Sequence, residues 1–112
     1  MKTEKEARIR REENRLKRLF TDLEPNKKNT CKALITRAAF ITISLEDLEE
    51  QLNETGWVET YQNGENQHGL KKSAAADVHI SLTKNLNALV KQLLDLVPPA
   101  QKASRLEAMM RK

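Results

Sequence analysis

Residues 26–55 read NKKNTCKALITRAAFITISLEDLEEQLNET, and the spacing of the apolar positions in this stretch decides the fold. Leu34, Ala38, Ile41, Leu45, Leu48 and Leu52 recur at alternating steps of four and three, the period of one buried helix seam. Cys31, Ile35 and Ala39 widen that stripe, while Arg37, Glu46, Glu49, Glu50 and Asn53 fall outside it. Pro25 suits the first turn of a helix, where its missing N–H costs nothing, and Gly56 suits the left-handed position just past the end. The stretch predicts a single helix of about 45 Å at 1.5 Å per residue. Thr42, Ile43 and Ser44 are poor helix formers, and Ser44 with Asp47 resembles a capping box, so a kink there is the alternative.

Upstream, residues 3–23 predict a first helix. Arg8, Arg11, Arg15 and Arg18 lie within about 80° of one another on its wheel, with Ile9, Leu16, Phe20 and Leu23 on the opposite side. Arginine in such a stripe suits bidentate contact to phosphate. The bland reading is a solvated face with local pairs such as Glu4–Arg8. Asp22, Pro25 and Asn26 make a short turn into the long helix.

Downstream, the period changes. Residues 57–62 are rich in strand formers, Asn63-Gly64 is a strong hairpin signal that calls for positive φ at both positions, and residues 65–70 form the returning strand. Trp57 and Tyr61 share a strand face and are its expected anchors, Trp57 being substantially buried against helices of its own or an adjacent subunit. Ser73 caps a second long helix over residues 74–97, in which Val78, Leu82, Leu86, Leu89, Leu93 and Leu96 form a seam and Pro98-Pro99 the stop. The two long helices read as an antiparallel pair. Residues 100–112 are basic and methionine-tipped, either a disordered tail or a short docking helix presenting Leu106, Met109 and Met110.

At 112 residues the chain is one domain or an elongated subunit, and its 38% apolar content sits mostly in two seams sharing a narrow core. Such a chain can gain stability from neighbouring copies. One cysteine, Cys31, excludes an internal disulfide and fits a reducing compartment. The polar start and the lack of any long apolar run predict a soluble, intracellular protein without membrane contact. The net charge of +4 is unevenly spread. Residues 1–20 carry eight Lys or Arg against four Glu, residues 38–70 carry seven acids and no Lys or Arg, and residues 71–112 carry eight bases against three acids. That bipolar map favours either self-association between unlike patches or a basic surface facing nucleic acid.

Chemistry-bearing motifs are few. Gly64 to Ser73 has glycines and a Lys-Lys-Ser end, but two extra residues break the phosphate-loop spacing and no buried parallel strand precedes it. His68, His79 and Cys31 lack the spacing of a metal site, and Cys31 reads as a small core residue rather than a nucleophile. The acids at Glu46, Asp47, Glu49 and Glu50 read as a solvated helix face. The expectation is a protein that is not an enzyme and takes no cofactor or metal.

Gly56-Trp57-Val58, Tyr61-Gln62-Asn63-Gly64-Glu65-Asn66-Gln67, Gly69, Lys71-Lys72-Ser73 and the leucine-bearing helix ending at Pro98 together resemble the small subunit of phage terminase, of the type found in phages and prophages of Gram-positive bacteria. The resemblance covers roughly residues 8–98, the Tyr-to-Gln run being its most specific part. Such proteins commonly have proline after the Lys-Lys-Ser element, where this chain has Ala74. The resemblance implies a non-catalytic DNA-packaging factor in the cytoplasm of the bacterial host. Such a factor assembles into a homo-oligomeric ring, binds double-stranded viral DNA, and delivers it to the large terminase subunit that it regulates. It carries no DNA-contact residues across by motif, and no helix-turn-helix is evident. The candidates from the residues themselves are the arginine stripe (Arg8, Arg11, Arg15, Arg18), with Lys71 and Lys72 at the hairpin exit, and Lys102 and Arg105 in the tail, after them.

The expected organisation is mainly α. A basic N-terminal helix (1–24) is the DNA-binding candidate, a helix–hairpin–helix core (25–98) oligomerises into a ring, and a basic tail (99–112) is a docking candidate for the large subunit. Two other classes remain open: a small dimeric DNA-binding regulator, and a structural coiled-coil adaptor whose charges serve pairing and solubility.

Overall fold

The computed structural model describes residues 3–62 and 64–111. Four helices and one hairpin follow in chain order: α1 (Glu4–Leu19), α2 (Pro25–Thr55), β1 (Val58–Gln62), β2 (His68–Lys72), α3 (Ala74–Leu94) and α4 (Lys102–Met110), the last entered through a 3-10 turn at Pro99–Gln101. The chain is slender, with extents of 64 × 37 × 22 Å.

Each helix boundary has a local cause. Thr3 and Glu6 form a capping box, the Thr3 hydroxyl accepting from the Glu6 N–H at 3.0 Å and the Glu6 carboxylate from the Thr3 N–H at 3.2 Å. Pro25 opens α2, and Gly56 closes it at φ 90°, its N–H donating to the Leu52 carbonyl at 2.8 Å. The Ser73 hydroxyl accepts from the Ala76 N–H at 3.1 Å to start α3.

The long helix runs through Thr42–Ser44 without a break. Ser44 does not cap anything: its hydroxyl is buried without a hydrogen-bond partner among the described residues, and Asp47 turns instead to α1. Burial on α2 is also wider than one seam. Ala38, Leu45 and Leu52 are buried as expected, Leu34, Ile41 and Leu48 are half-buried, and Cys31, Ile35, Ala39 and Ile43 are buried as well. The reason is that α2 is central, packed against both α1 and α3, so it must be apolar on two sides.

The main core cluster gathers around the turn between α1 and α2, while Ile43, Leu45, Leu52 and Ala76 are buried outside it. Leu16, Phe20 and Leu23 meet Cys31, Ile35 and Ala38 of α2, Leu93 and Val97, and Met109 of α4. The first helix is shorter than its 3–23 pattern, and Phe20 and Leu23 enter the core from the turn that follows it. The C-terminal segment takes the helical one of its two expected forms. Its Met109 is buried at 4% exposure, while Leu106 and Met110 stay exposed.

At the other end the hairpin stands almost free. Its register pairs Val58 with Lys72 and Gln62 with His68, so the returning strand begins three residues later than the Asn-Gly signal implies. Gly64 does adopt φ 95°; Asn63 lies outside the described residues. In this register the Tyr61 ring lies over Gly69, where an added Cβ would come within 2.6 Å of ring atoms. Glycine therefore admits the aromatic cover at that cross-strand pair. Trp57 departs from the expected burial within its own chain. It is 43% exposed and meets the His79 ring edge-on, centroids 5.1 Å apart.

Candidate nucleic-acid interface

Four of the five arginines of the first helix, Arg8, Arg11, Arg15 and Arg18, line one shallow depression together with Glu12, Ile43 and Glu46, but they are not equivalent. Antiparallel packing of α1 on α2 carries Arg8 to the acidic half of the long helix. Its Nη1 donates to Asp47 at 2.6 Å and its Nη2 to Glu46 at 3.0 Å. Arg15 faces the C-terminal helix. Its Nε and Nη2 donate to the Glu12 carboxylate at 2.7 and 2.9 Å, and its Nη2 and Nη1 to the carbonyls of Met109 and Arg111 at 3.0 and 3.1 Å. The last carbonyls of a helix lack intrahelical partners, so Arg15 caps the end of α4 as well as neutralising a buried glutamate. Arg11 and Arg18 are exposed.

The other candidates are also held by carboxylates. Lys71 lies 3.4 Å from Glu59 across the hairpin and Lys72 3.3 Å from Asp77, both pairs well exposed. Lys102 meets Asp95 at 3.1 Å. Arg105 donates to Asp22 at 3.0 Å while its guanidinium lies over the Phe20 ring, which ties the tail to the turn after α1.

A cluster that sequence spacing does not reveal sits on the other flank of α1. Lys17 meets Lys28 and Lys32 of α2 around a second depression floored by Phe20, Cys31 and Ile35. The four-residue step from Lys28 to Lys32 is visible in the sequence, but only the α1–α2 crossing brings Lys17 to it.

Electrostatics follow the ion pairs. The hydrogen bond from Arg8, with Lys5 adding to it, holds the Asp47 carboxyl below the usual carboxylate range; the Arg105 hydrogen bond does the same for Asp22. Burial pushes the Cys31 thiol up. A carboxyl whose folded pKa is depressed stabilises fully above its unfolded value of about 3.9, and that contribution is lost as pH falls through the folded value. The wild-type chain should therefore lose stability more steeply than Asp47→Asn below about pH 4. The difference should be modest, because the pair is partly exposed. Acid titrations followed by circular dichroism check this, and coincident curves would show that the Arg8–Asp47 bond does not contribute.

Between α2 and α3 runs an open groove of about 1020 Å³ lined by Phe40, Ile41, Ala33, Ala88 and Leu89, with Arg37 and Lys32 among its polar members, Lys32 being shared with the depression beside Lys17. Phe40 is 52% exposed there. Among the described residues no group of His, Cys, Asp and Glu is placed to hold a metal ion, and no helix is long and apolar enough to cross a membrane. Compared with family models, curated proteins and solved structures, the chain has no significant match.

Proposed function

We propose that this chain is a non-catalytic DNA-packaging factor of the phage terminase small-subunit kind, acting as a ring-shaped homo-oligomer in the cytoplasm of a bacterial host. In that role it binds double-stranded DNA and hands it to a large subunit that carries the enzymatic work. The observation that carries the reading is the surface of the hairpin end. Val58 is 56%, Leu70 70% and Val78 48% exposed, beside the half-exposed Trp57 and Tyr61. A two-stranded hairpin is marginal alone, and apolar side chains gathered at one end of a slender subunit favour burial against another copy. The Phe40 groove between α2 and α3 offers a second apolar surface for side-by-side packing.

The DNA part of the proposal draws on the surplus of Lys and Arg in residues 1–20 and on the exposed Arg11 and Arg18. Many copies need little affinity each when they engage one duplex together. A fluorescence-anisotropy titration against random-sequence duplex tests it. The full-length chain should bind with a steep loss of affinity as salt rises, because each neutralised phosphate releases counterions. Absence of binding at low salt would remove the DNA reading and favour the structural adaptor.

A further inference from the structure

The lysines and arginines among the described residues divide into engaged and unpaired ones. Lys5, Arg8, Arg15, Lys71, Lys72, Lys102, Arg105 and Arg111 each lie within ion-pair distance of a carboxylate, and Lys27 donates to the Leu96 carbonyl. Arg10, Arg11, Lys17, Arg18, Lys28 and Lys32 are exposed and have no such partner among the described residues. Arg37, Lys84 and Lys91 are also unpaired, further along α2 and on α3.

Lys17, Lys28 and Lys32 share one depression, and helix geometry puts Arg10, Arg11 and Arg18 on the adjoining faces of α1, where Arg11 and Arg18 also border the depression of Arg8 and Arg15. Leu16 marks the inward direction of α1, at 3% exposure. At about 100° per residue, Arg11 and Arg18 point within roughly 40° of straight outward, and Arg10 and Lys17 share the flank about 100–120° from Leu16. That flank turns toward α2, where Lys17 meets Lys28 and Lys32 around their common depression. Arg8 and Arg15 lie on the opposite flank and are consumed by α2 and α4. The free stripe is therefore displaced from the 8-11-15-18 spacing, toward the elbow between α1 and α2. It is also rigidly seated, because Phe20, Cys31 and Ile35 beneath it belong to the core.

We propose that this elbow face, Lys17, Lys28 and Lys32 joined to Arg10, Arg11 and Arg18, is the surface that contacts the phosphate backbone of duplex DNA. The assignment rests on the DNA-binding reading above and specifies where it acts. The side chains between the cations decide the ligand class. Asn14 and Thr21 are exposed there, both able to hydrogen-bond phosphate oxygens. No aromatic ring is exposed between residues 7 and 21, which disfavours a single strand gripped by base stacking. Nor does that span expose the large apolar side chains with which an interfacial helix enters a membrane. Of the bordering acids, Glu13 is half-buried, the Glu6 carboxylate is engaged in the cap of α1, and Glu24 is exposed one turn before Lys28.

The test compares the full-length chain with two variants, Lys17→Gln/Lys28→Gln/Lys32→Gln and Arg8→Gln, by anisotropy on the same duplex at several salt concentrations. Each phosphate contact contributes about 0.9 to the slope of log K against log salt. The triple variant should keep its helicity and solution mass while its slope becomes shallower by about 2 to 3. Arg8→Gln should leave the slope unchanged. A triple variant that binds with the parental slope overturns the elbow assignment alone, whereas a parent that does not bind duplex removes the DNA reading beneath it. Binding of the parent to anionic vesicles in preference to duplex would overturn the assignment in favour of a membrane surface.

Discussion

Leu93→Asp is expected to leave the chain largely unfolded. Leu93 is 0% exposed and sits where α3 meets the cluster of Leu16, Phe20, Ile35 and Met109. Truncating a buried leucine to alanine alone costs about 2–5 kcal/mol. An aspartate there would add a buried, unpaired charge. The chain has one main core cluster and 112 residues, so losses of that size approach a total stability on the order of 5–15 kcal/mol. Circular dichroism should show the loss of most helical signal. Leu70→Asp is the contrasting variant: Leu70 is 70% exposed on the hairpin, so the same change should spare the fold and weaken self-association. Retention of full helicity by Leu93→Asp would mean that the core is misplaced.

Arg15→Met should produce the second largest effect, although the residue reads from sequence as a surface arginine. It donates four hydrogen bonds, two to Glu12 and two to the carbonyls that end α4. Glu12 is only 8% exposed, so removing the guanidinium leaves a buried carboxylate without its counter-charge. Breaking a buried pair from one side costs about 3–5 kcal/mol. The Arg15 side chain is 22% exposed, which places the expected loss toward the lower end of that range. Urea denaturation measures it, and Glu12→Gln in the same background should recover part of the loss by removing the stranded charge. A loss below about 1 kcal/mol would show that solvent replaces the guanidinium freely.

What the sequence made legible was local. Pro25, Gly56, Ser73 and Pro98-Pro99 mark helix ends through their own backbone chemistry, and each stands at or within a few residues of an observed boundary. Asn63-Gly64 announces the hairpin, but a turn signal cannot show that Tyr61 will settle over Gly69 and so lengthen the loop. The apolar period of residues 26–55 announces a helix. It understates the number of its neighbours, because Ile43 is buried on a side that even the widened seam does not count. Tertiary crossings were the least visible part. Arg8 reaches Asp47 across 39 positions, and Arg15 reaches Met109 across 94. A helical wheel treats both arginines as free, when packing has already engaged them. The lysine elbow was missed for the converse reason, since Lys17 and Lys28 belong to different helices and share a surface only after the helices pack.

The reading of this chain as a ring-forming packaging subunit stands or falls on how many copies associate. The hairpin end and the Phe40 groove are two different exposed apolar surfaces of the chain, and contact between unlike surfaces closes into a ring when the rotation permits. Light scattering coupled to size exclusion, on the full-length chain over a wide concentration range, measures this directly. The account predicts one discrete species larger than a tetramer. A monomer at every concentration would contradict it, and a dimer to tetramer would replace it with the small DNA-binding regulator or the coiled-coil adaptor.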